Sequence, residues 1–395
     1  MIRRLLSTIA VKPSPSKSHL HGPLSDSCFP RGYTLTGIHS GVKKDPQALD
    51  LALILSTSSH PTSAAACFTR NAFKAAPVVV SQQVLQANNG RARAVVVNSG
   101  CANAVTGKQG LADAWAMVRE TDGLLPPLEA KAASHQTLVM STGVIGQTLP
   151  ISKIIAAIRA QADARTFGSD FEAWERAAKA FMTTDTFPKL RSRVFTIAGN
   201  EYRMAGMDKG AGMIHPNMGP AAPHATLLGC ILTDAPVSPR SLQSALTYAV
   251  ERSFNSISVD GEMSTNDTIL VLANGAATTT TFGVVPEIDE ENDRNAYEVF
   301  KKELTSFAVD LAKLVVRDGE GATKFVTVTV EVTCTLLGRF LCFASHGDGH
   351  VHSQRPLTPM LIGSRHAYRL RLWSKPRYTA KTPSKLFTLP TFEAR

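Results

Sequence analysis

Six cysteines (Cys28, Cys67, Cys101, Cys230, Cys334 and Cys342) are all that this 395-residue chain contains, and no two form a CxxC pair or a disulfide-like spacing. That excludes a disulfide-stapled secreted scaffold and fits a reducing compartment. Long apolar runs are missing as well. None reaches the roughly 18 residues that a membrane-spanning helix needs, so a soluble protein is expected. With 44% hydrophobic and 19% charged residues the chain has an ordinary globular profile. Its length exceeds what one compact core usually holds, which predicts two domains or lobes.

Acidic residues are scarce at both ends. Residues 1–32 carry Arg3, Arg4, Lys12, Lys17 and Arg31 against Asp26 alone, a net of +4. Residues 332–395 carry ten Lys/Arg against Asp348 and Glu393, a net of +8. The body between them has 27 basic and 29 acidic residues, so the overall charge of +10 belongs to the ends. A near-neutral body gives no case for a nucleic-acid-binding protein. The first 20 residues, MIRRLLSTIAVKPSPSKSHL, pair arginines and serines with short apolar stretches and no acid. Residues 1–31 therefore read as a mitochondrial transit leader, with a disordered basic tail as the alternative.

From about Gly32 strands and helices alternate. Pro77–Val80, Arg93–Asn98 and Thr137–Ser141 are short apolar or β-branched runs that read as buried strands, as do Thr268–Asn274 and Phe325–Glu331. Ile151, Ile154, Ile155 and Ile158 after Pro150 mark one face of an amphipathic helix. Ser238-Pro239 is a cap followed by a first-turn proline, opening a helix to about Ser253. Phe300, Leu304, Phe307, Leu311 and Leu314 keep helical spacing over four turns. The acidic stretch 287–293 reads as a solvated surface loop. The pattern is that of a mixed α/β protein with helices packed on sheets.

Between these elements lie NSGCANAVTG (98–107), STGVIG (141–146), TTDTFPK (183–189), KGAGMIHPNM (209–218), DGEMSTND (260–267) and DGEGATK (318–324). Each alone reads as a turn, because Gly, Ser, Thr and Asn supply positive φ and local hydrogen bonds. Six together offer backbone N–H groups and hydroxyls with little bulk, as a shared site for a small polar substrate would.

In this order, and with SAAACFTRNAFKAAPV (63–78) and HATLLG (224–229), these motifs resemble the ornithine acetyltransferase (ArgJ, glutamate N-acetyltransferase) family over about residues 32–331. The variants KGAGMIHPNM and HATLLG resemble its fungal branch. The resemblance implies an αββα sandwich in two lobes, of the self-cleaving N-terminal-nucleophile type shared with a family of aminopeptidases. It implies an α chain over 32–225 and a β chain starting at Thr226, cut between Ala225 and Thr226. A chain-terminal threonine gains its own α-amine, of pKa about 8, as an adjacent base for its hydroxyl. By the same resemblance Thr142 and Gly143 form the oxyanion hole. Lys209, Glu320 and Thr183 (or its neighbour Thr184) bind substrate together with Thr226. The implied reaction is ping-pong transfer of acetyl from N-acetylornithine to glutamate, in a heterotetramer of two α and two β chains. It needs no metal or organic cofactor, and leaves open acetyl-CoA as a second donor. Passing the acyl group to water instead, as the related aminopeptidases do, is the alternative.

After Glu331 the resemblance ends. The basic, Pro/Ser/Thr/Arg-rich segment 332–395 reads as a frameshift, retained intron or mispredicted exon in place of the family's C-terminal segment, and is not expected to complete the fold. A basic arm binding RNA or an anionic surface, or an inert truncated product, are the other readings. His346, Asp348, His350 and His352 in this tail suggest a metal site that the flanking sequence does not support.

Overall fold

The computed structural model describes residues 16–126, 135–163, 166–219, 227–262, 264–278, 286–328 and 360–364. The chain runs β1 (Tyr33–Ile38), β2 (Leu51–Ser56), β3 (Ser63–Thr69), α1 (Ala76–Ala87), β4 (Ala94–Cys101), α2 (Gly107–Asp122), β5 (Thr137–Val144), α3 (Ile151–Arg159) and α4 (Phe171–Phe181). It continues with β6 (Lys189–Ile197), β7 (Asn200–Lys209), β8 (Met218–Gly219), β9 (Leu228–Thr233), α5 (Pro239–Glu251), β10 (Ile257–Ser258), β11 (Thr268–Ala273), α6 (Arg294–Arg317), β12 (Lys324–Val328) and β13 (Met360–Ser364).

Two mixed sheets carry the architecture. One has the order β1-β2-β4-β5, the other β6-β7-β9-β11-β3-β8. Their side chains alternate between layers as strand pleating requires. In β11, Leu270 and Leu272 enter the core between the sheets, whereas Ile269 and Val271 face α5 and α6. In β4, Val95 and Val97 enter that central core, and Val96 faces α2 and α3. The result is the expected αββα sandwich, its two sheet-and-helix halves sharing one core. In the larger sheet β9 and β11, from after position 225/226, lie between strands from before it: β7 pairs with β9, and β11 lies between β9 and β3.

Helix α4 seals one end of the central core. Trp174 is fully buried and stacks on Phe29 at 4.8 Å between ring centroids. The helix backbone approaches β1 so closely that a Cβ on Gly37 would lie 2.0 Å from the Arg176 carbonyl oxygen. Helix α6 buries Phe300, Leu304, Phe307, Leu311 and Leu314, the five positions that kept helical spacing. Ser238 caps α5 by accepting from the Ser241 N–H, and its hydroxyl donates to Asp289 at 2.6 Å. The acidic loop is thus anchored rather than merely solvated: Glu287 pairs with Arg91 at 2.7 Å, and Ile288 is buried.

Two expectations change. Pro77–Val80 is helical, lying in the first turn of α1 with Pro77 near its start. Val78 and Val80 serve two different cores there, which helical rather than strand geometry allows. The tail is not wholly outside the fold, because β13 forms the middle strand of a three-stranded sheet, antiparallel to β12 and parallel to β10. The run MLIG is apolar and covers an edge of β12 that would otherwise stay open. The rest of the tail, with Cys334, Cys342 and the His346–His352 group, lies outside the described residues, as do residues 1–15 of the leader.

Candidate active site

All six Gly/Ser/Thr/Asn-rich loops meet at the ends of the sandwich strands. Parallel pairing of β4 with β5 sets Ser99 beside Thr142 and Gly100 beside Gly143. Gly143 has φ +122°, and a Cβ there would lie 2.4 Å from the Gly100 carbonyl, so only glycine fits. The Asn266 amide donates to the Ser141 carbonyl at 2.8 Å and to the Ala102 carbonyl at 2.5 Å. It ties loop 260–267 to β5, which carries the expected oxyanion hole, and to the residue that follows β4. Thr142 itself is buried.

Lys209, the last residue of β7, points its ammonium at this corner and donates to the Thr142 hydroxyl at 3.3 Å. Burial pushes the Lys209 ammonium below the usual lysine range. The carboxylates of Asp185, Asp267 and Glu320 oppose that shift, and the Lys189 cation adds to it. Glu320 is exposed at the rim, its carboxylate lying over Gly212, where a Cβ would sit 2.6 Å from Oε1. Thr183 is half-buried, and its N–H donates to Asp185 at 2.9 Å; Thr184 is exposed. Thus Thr142, Gly143, Lys209 and Glu320 are brought to one place, with the Thr183 loop beside them. Ala225 and Thr226 lie outside the described residues.

Beneath these loops lies a buried charge network that pattern reading missed. Lys189 bridges Asp185 at 2.5 Å and Asp318 at 2.6 Å, all three side chains being fully buried. Asp318 also accepts from the Thr186 N–H at 2.9 Å, and Asp185 accepts from the Gly210 N–H at 2.8 Å. Loops 183–189, 209–218 and 318–324 are therefore locked together. Burial alone would raise the Asp185 carboxyl, but the Lys189 and Lys209 cations hold it well below the usual carboxylate range. Across the β6–β7 pair from Lys189 sits Asp208, buried, with neither oxygen hydrogen-bonded among the described residues. Burial lifts its carboxyl well above the ordinary range, and the Lys189 cation only partly opposes this. The Asp185/Lys189 spacing of four residues was the available sequence signal.

The last members are Asp260 and Asp267. Asp260 accepts from the Met213 N–H at 2.6 Å and the Ile214 N–H at 2.9 Å, closing loop 209–218 onto loop 260–267. Asp267 accepts from the Leu227 N–H, directly after Thr226 in the chain.

Fold and site define the class as an α+β sandwich with a polar site at the strand ends, where a hydroxyl, a lysine and carboxylates converge. A profile of the ArgJ family matches residues 34–335, and the chain belongs to that family. It is 71% identical over 373 residues to the arginine biosynthesis bifunctional protein ArgJ, mitochondrial, of Coprinopsis cinerea, spanning 92% of this chain and 75% of that one. The protein of the same name from Laccaria bicolor is 72% identical over 337 residues, 84% of this chain and 70% of that one. Among solved structures, the Bacillus halodurans protein argJ is 36% identical, with a TM-score of 0.43 over 50% of this chain and 95% of that one.

Proposed function

We propose that this protein is a mitochondrial acetyltransferase of arginine biosynthesis that frees Thr226 by cutting its own chain and then carries acetyl groups on that hydroxyl. The function and compartment follow the fungal relatives, which are named mitochondrial bifunctional arginine biosynthesis proteins. The observation that carries the reading is the buried Lys209–Thr142 contact, inside the family match and at the strand ends next to Leu227.

In the proposed reaction Thr226 attacks the acetyl carbonyl of N-acetylornithine, with its own α-amine taking the hydroxyl proton. The oxyanion faces the Thr142 hydroxyl and the Gly143 N–H, donors of the kind worth about 3 kcal/mol of barrier each. Ornithine leaves, and the amine of glutamate takes the acetyl from Thr226. Lys209 receives a substrate carboxylate and Glu320 an ammonium group, with Thr183 lining the same site. The donor amide and the product amide have similar energy, so the site's work is to position two amino acids in turn and keep water out. No metal or organic cofactor takes part; acetyl-CoA serves as a second donor. The α and β chains stay together, two copies of each.

Incubation with N-acetylornithine, with and without glutamate, tests this. Ornithine release that depends on glutamate and yields N-acetylglutamate is expected. Equal release without glutamate would assign hydrolysis instead.

A further inference from the structure

The basic leader expected over residues 1–31 is docked on the body from Lys17 onward. The Leu20 carbonyl accepts from Arg191 of β6 at 2.8 Å, and its side chain packs against the core beneath α5 and α6. His21 lies 2.9 Å from the Glu175 carboxylate and stacks on Phe171, both in α4. The Phe171 N–H donates to Asp26 at 2.7 Å, and Arg203 of β7 donates to the Ser27 carbonyl at 2.6 Å. Phe29 closes the series on the buried Trp174. A cut after residue 31 would strip every one of these contacts and uncover Trp174.

The first side chain of this strap reaches the loop that carries Glu320. Lys17, only 11% exposed, places its ammonium 3.9 Å from Asp318 and 3.5 Å from the Gly319 carbonyl oxygen. Asp318 and Asp185 are fully buried and both pair with the same ammonium, that of Lys189. A second cation beside Asp318 offsets a surplus of negative charge that burial makes costly. The Gly319 carbonyl also accepts from the Ala322 N–H at 2.8 Å, closing a turn with Glu320 and Gly321 at its corner. Gly321 has φ +64°, as such a corner requires, and the Glu320 N–H donates to the Ala211 carbonyl at 2.7 Å. Lys17 therefore grips the oxygen that closes the turn on which Glu320 stands.

We propose that residues 17–29 stay on the mature enzyme as a strap, leader removal falling upstream of Lys17, and that Lys17 is a positioning residue that sets Glu320 for the ammonium end of the donor substrate. The second half rests on the reading of Glu320 as the ammonium-binding acid. N-acetylornithine carries a side-chain ammonium, whereas the amine of glutamate must be neutral to take the acetyl group. Loosening the turn at Gly319 therefore weakens the donor and spares the acceptor. A brace that served stability alone would affect both substrates alike.

Import of the full chain into isolated fungal mitochondria, with the new N-terminus read by mass spectrometry, tests the first half. A start at or before Lys17 is expected; a start beyond it overturns the proposal, and this holds whether or not any variant folds. Steady-state kinetics test the second half. Lys17→Met should raise the KM for N-acetylornithine about 5- to 10-fold, the size of one lost charge-assisted contact, with kcat and the KM for glutamate less affected. Lys17→Arg, which keeps the cation, should restore most of the loss. An N-acetylornithine KM unchanged in Lys17→Met, or a glutamate KM raised equally, would overturn the positioning role. Glu320→Gln separates the two ideas. If it leaves the N-acetylornithine KM untouched, the reading of Glu320 fails and the role of Lys17 with it; if it raises that KM while Lys17→Met does not, only the role of Lys17 fails.

Discussion

The Lys209 ammonium donates to the Thr142 hydroxyl at 3.3 Å, and both side chains are buried. A hydroxyl that accepts from a cation has its own proton turned away from that cation. Thr142 is thereby oriented to donate its proton elsewhere, as an oxyanion hole requires.

Thr142→Ala should therefore slow both self-cleavage and acetyl transfer by about 10²–10³-fold, since both pass through an oxyanion at one place. Thr226→Ala should abolish both. Gel analysis of the precursor and steady-state kinetics of whatever matures will check this; slowing of only one reaction would separate the two oxyanion sites.

Lys209→Met should raise the KM for the carboxylate-bearing substrates, with kcat less affected. The Lys209 ammonium titrates below the usual lysine range, so wild-type KM should rise with pH before ordinary lysines lose their charge. A KM that is flat across the alkaline range, or unchanged in Lys209→Met, would argue against carboxylate binding there.

Asp208 gives a stability prediction. Its folded-state pKa is raised, so the folded chain holds a proton that the unfolded chain releases. The stability it contributes is full below the unfolded value of about 3.9 and is lost as pH rises toward the folded one. Asp208→Asn, made in uncut Thr226→Ala, should melt a few degrees higher at pH 8 and show a shallower decline between pH 5 and 8. An unchanged slope would mean that Asp208 is ionised in the folded state.

Gly37→Ala and Gly143→Ala place a methyl where backbone already stands, 2.0 Å from the Arg176 oxygen and 2.4 Å from the Gly100 carbonyl. The first should destabilise the docking of α4 and lower expression; the second should impair the site and slow cleavage more than it lowers the melting temperature. Circular dichroism melts beside cleavage assays distinguish them.

Much of the frame was legible because periodicity reports burial: the α3 and α6 stripes and the β4, β5 and β11 runs all fall where the apolar pattern put them. The PVVV run failed because four apolar residues fit strand and helix alike, and a proline at a helix start tipped the balance. Among site residues, Thr142, Gly143 and Lys209 were legible only through the family motifs. Asp185, Lys189, Asp208, Asp267 and Asp318 were not singled out, because charge in a loop reads as a solvated face. Only the fold shows that their charges face one another rather than water.

The interleaving of β3, β7, β9 and β11 has a bearing on how the enzyme is made. The proposed cut before residue 226 would separate strands that neighbour one another in one sheet, and the Lys189–Asp318 pair spans the same divide. Either piece synthesised alone would present open strand edges and half of a buried ion pair. Under the proposed cleavage, carrying both on one message would fix their ratio at one to one and oblige assembly to come before severance.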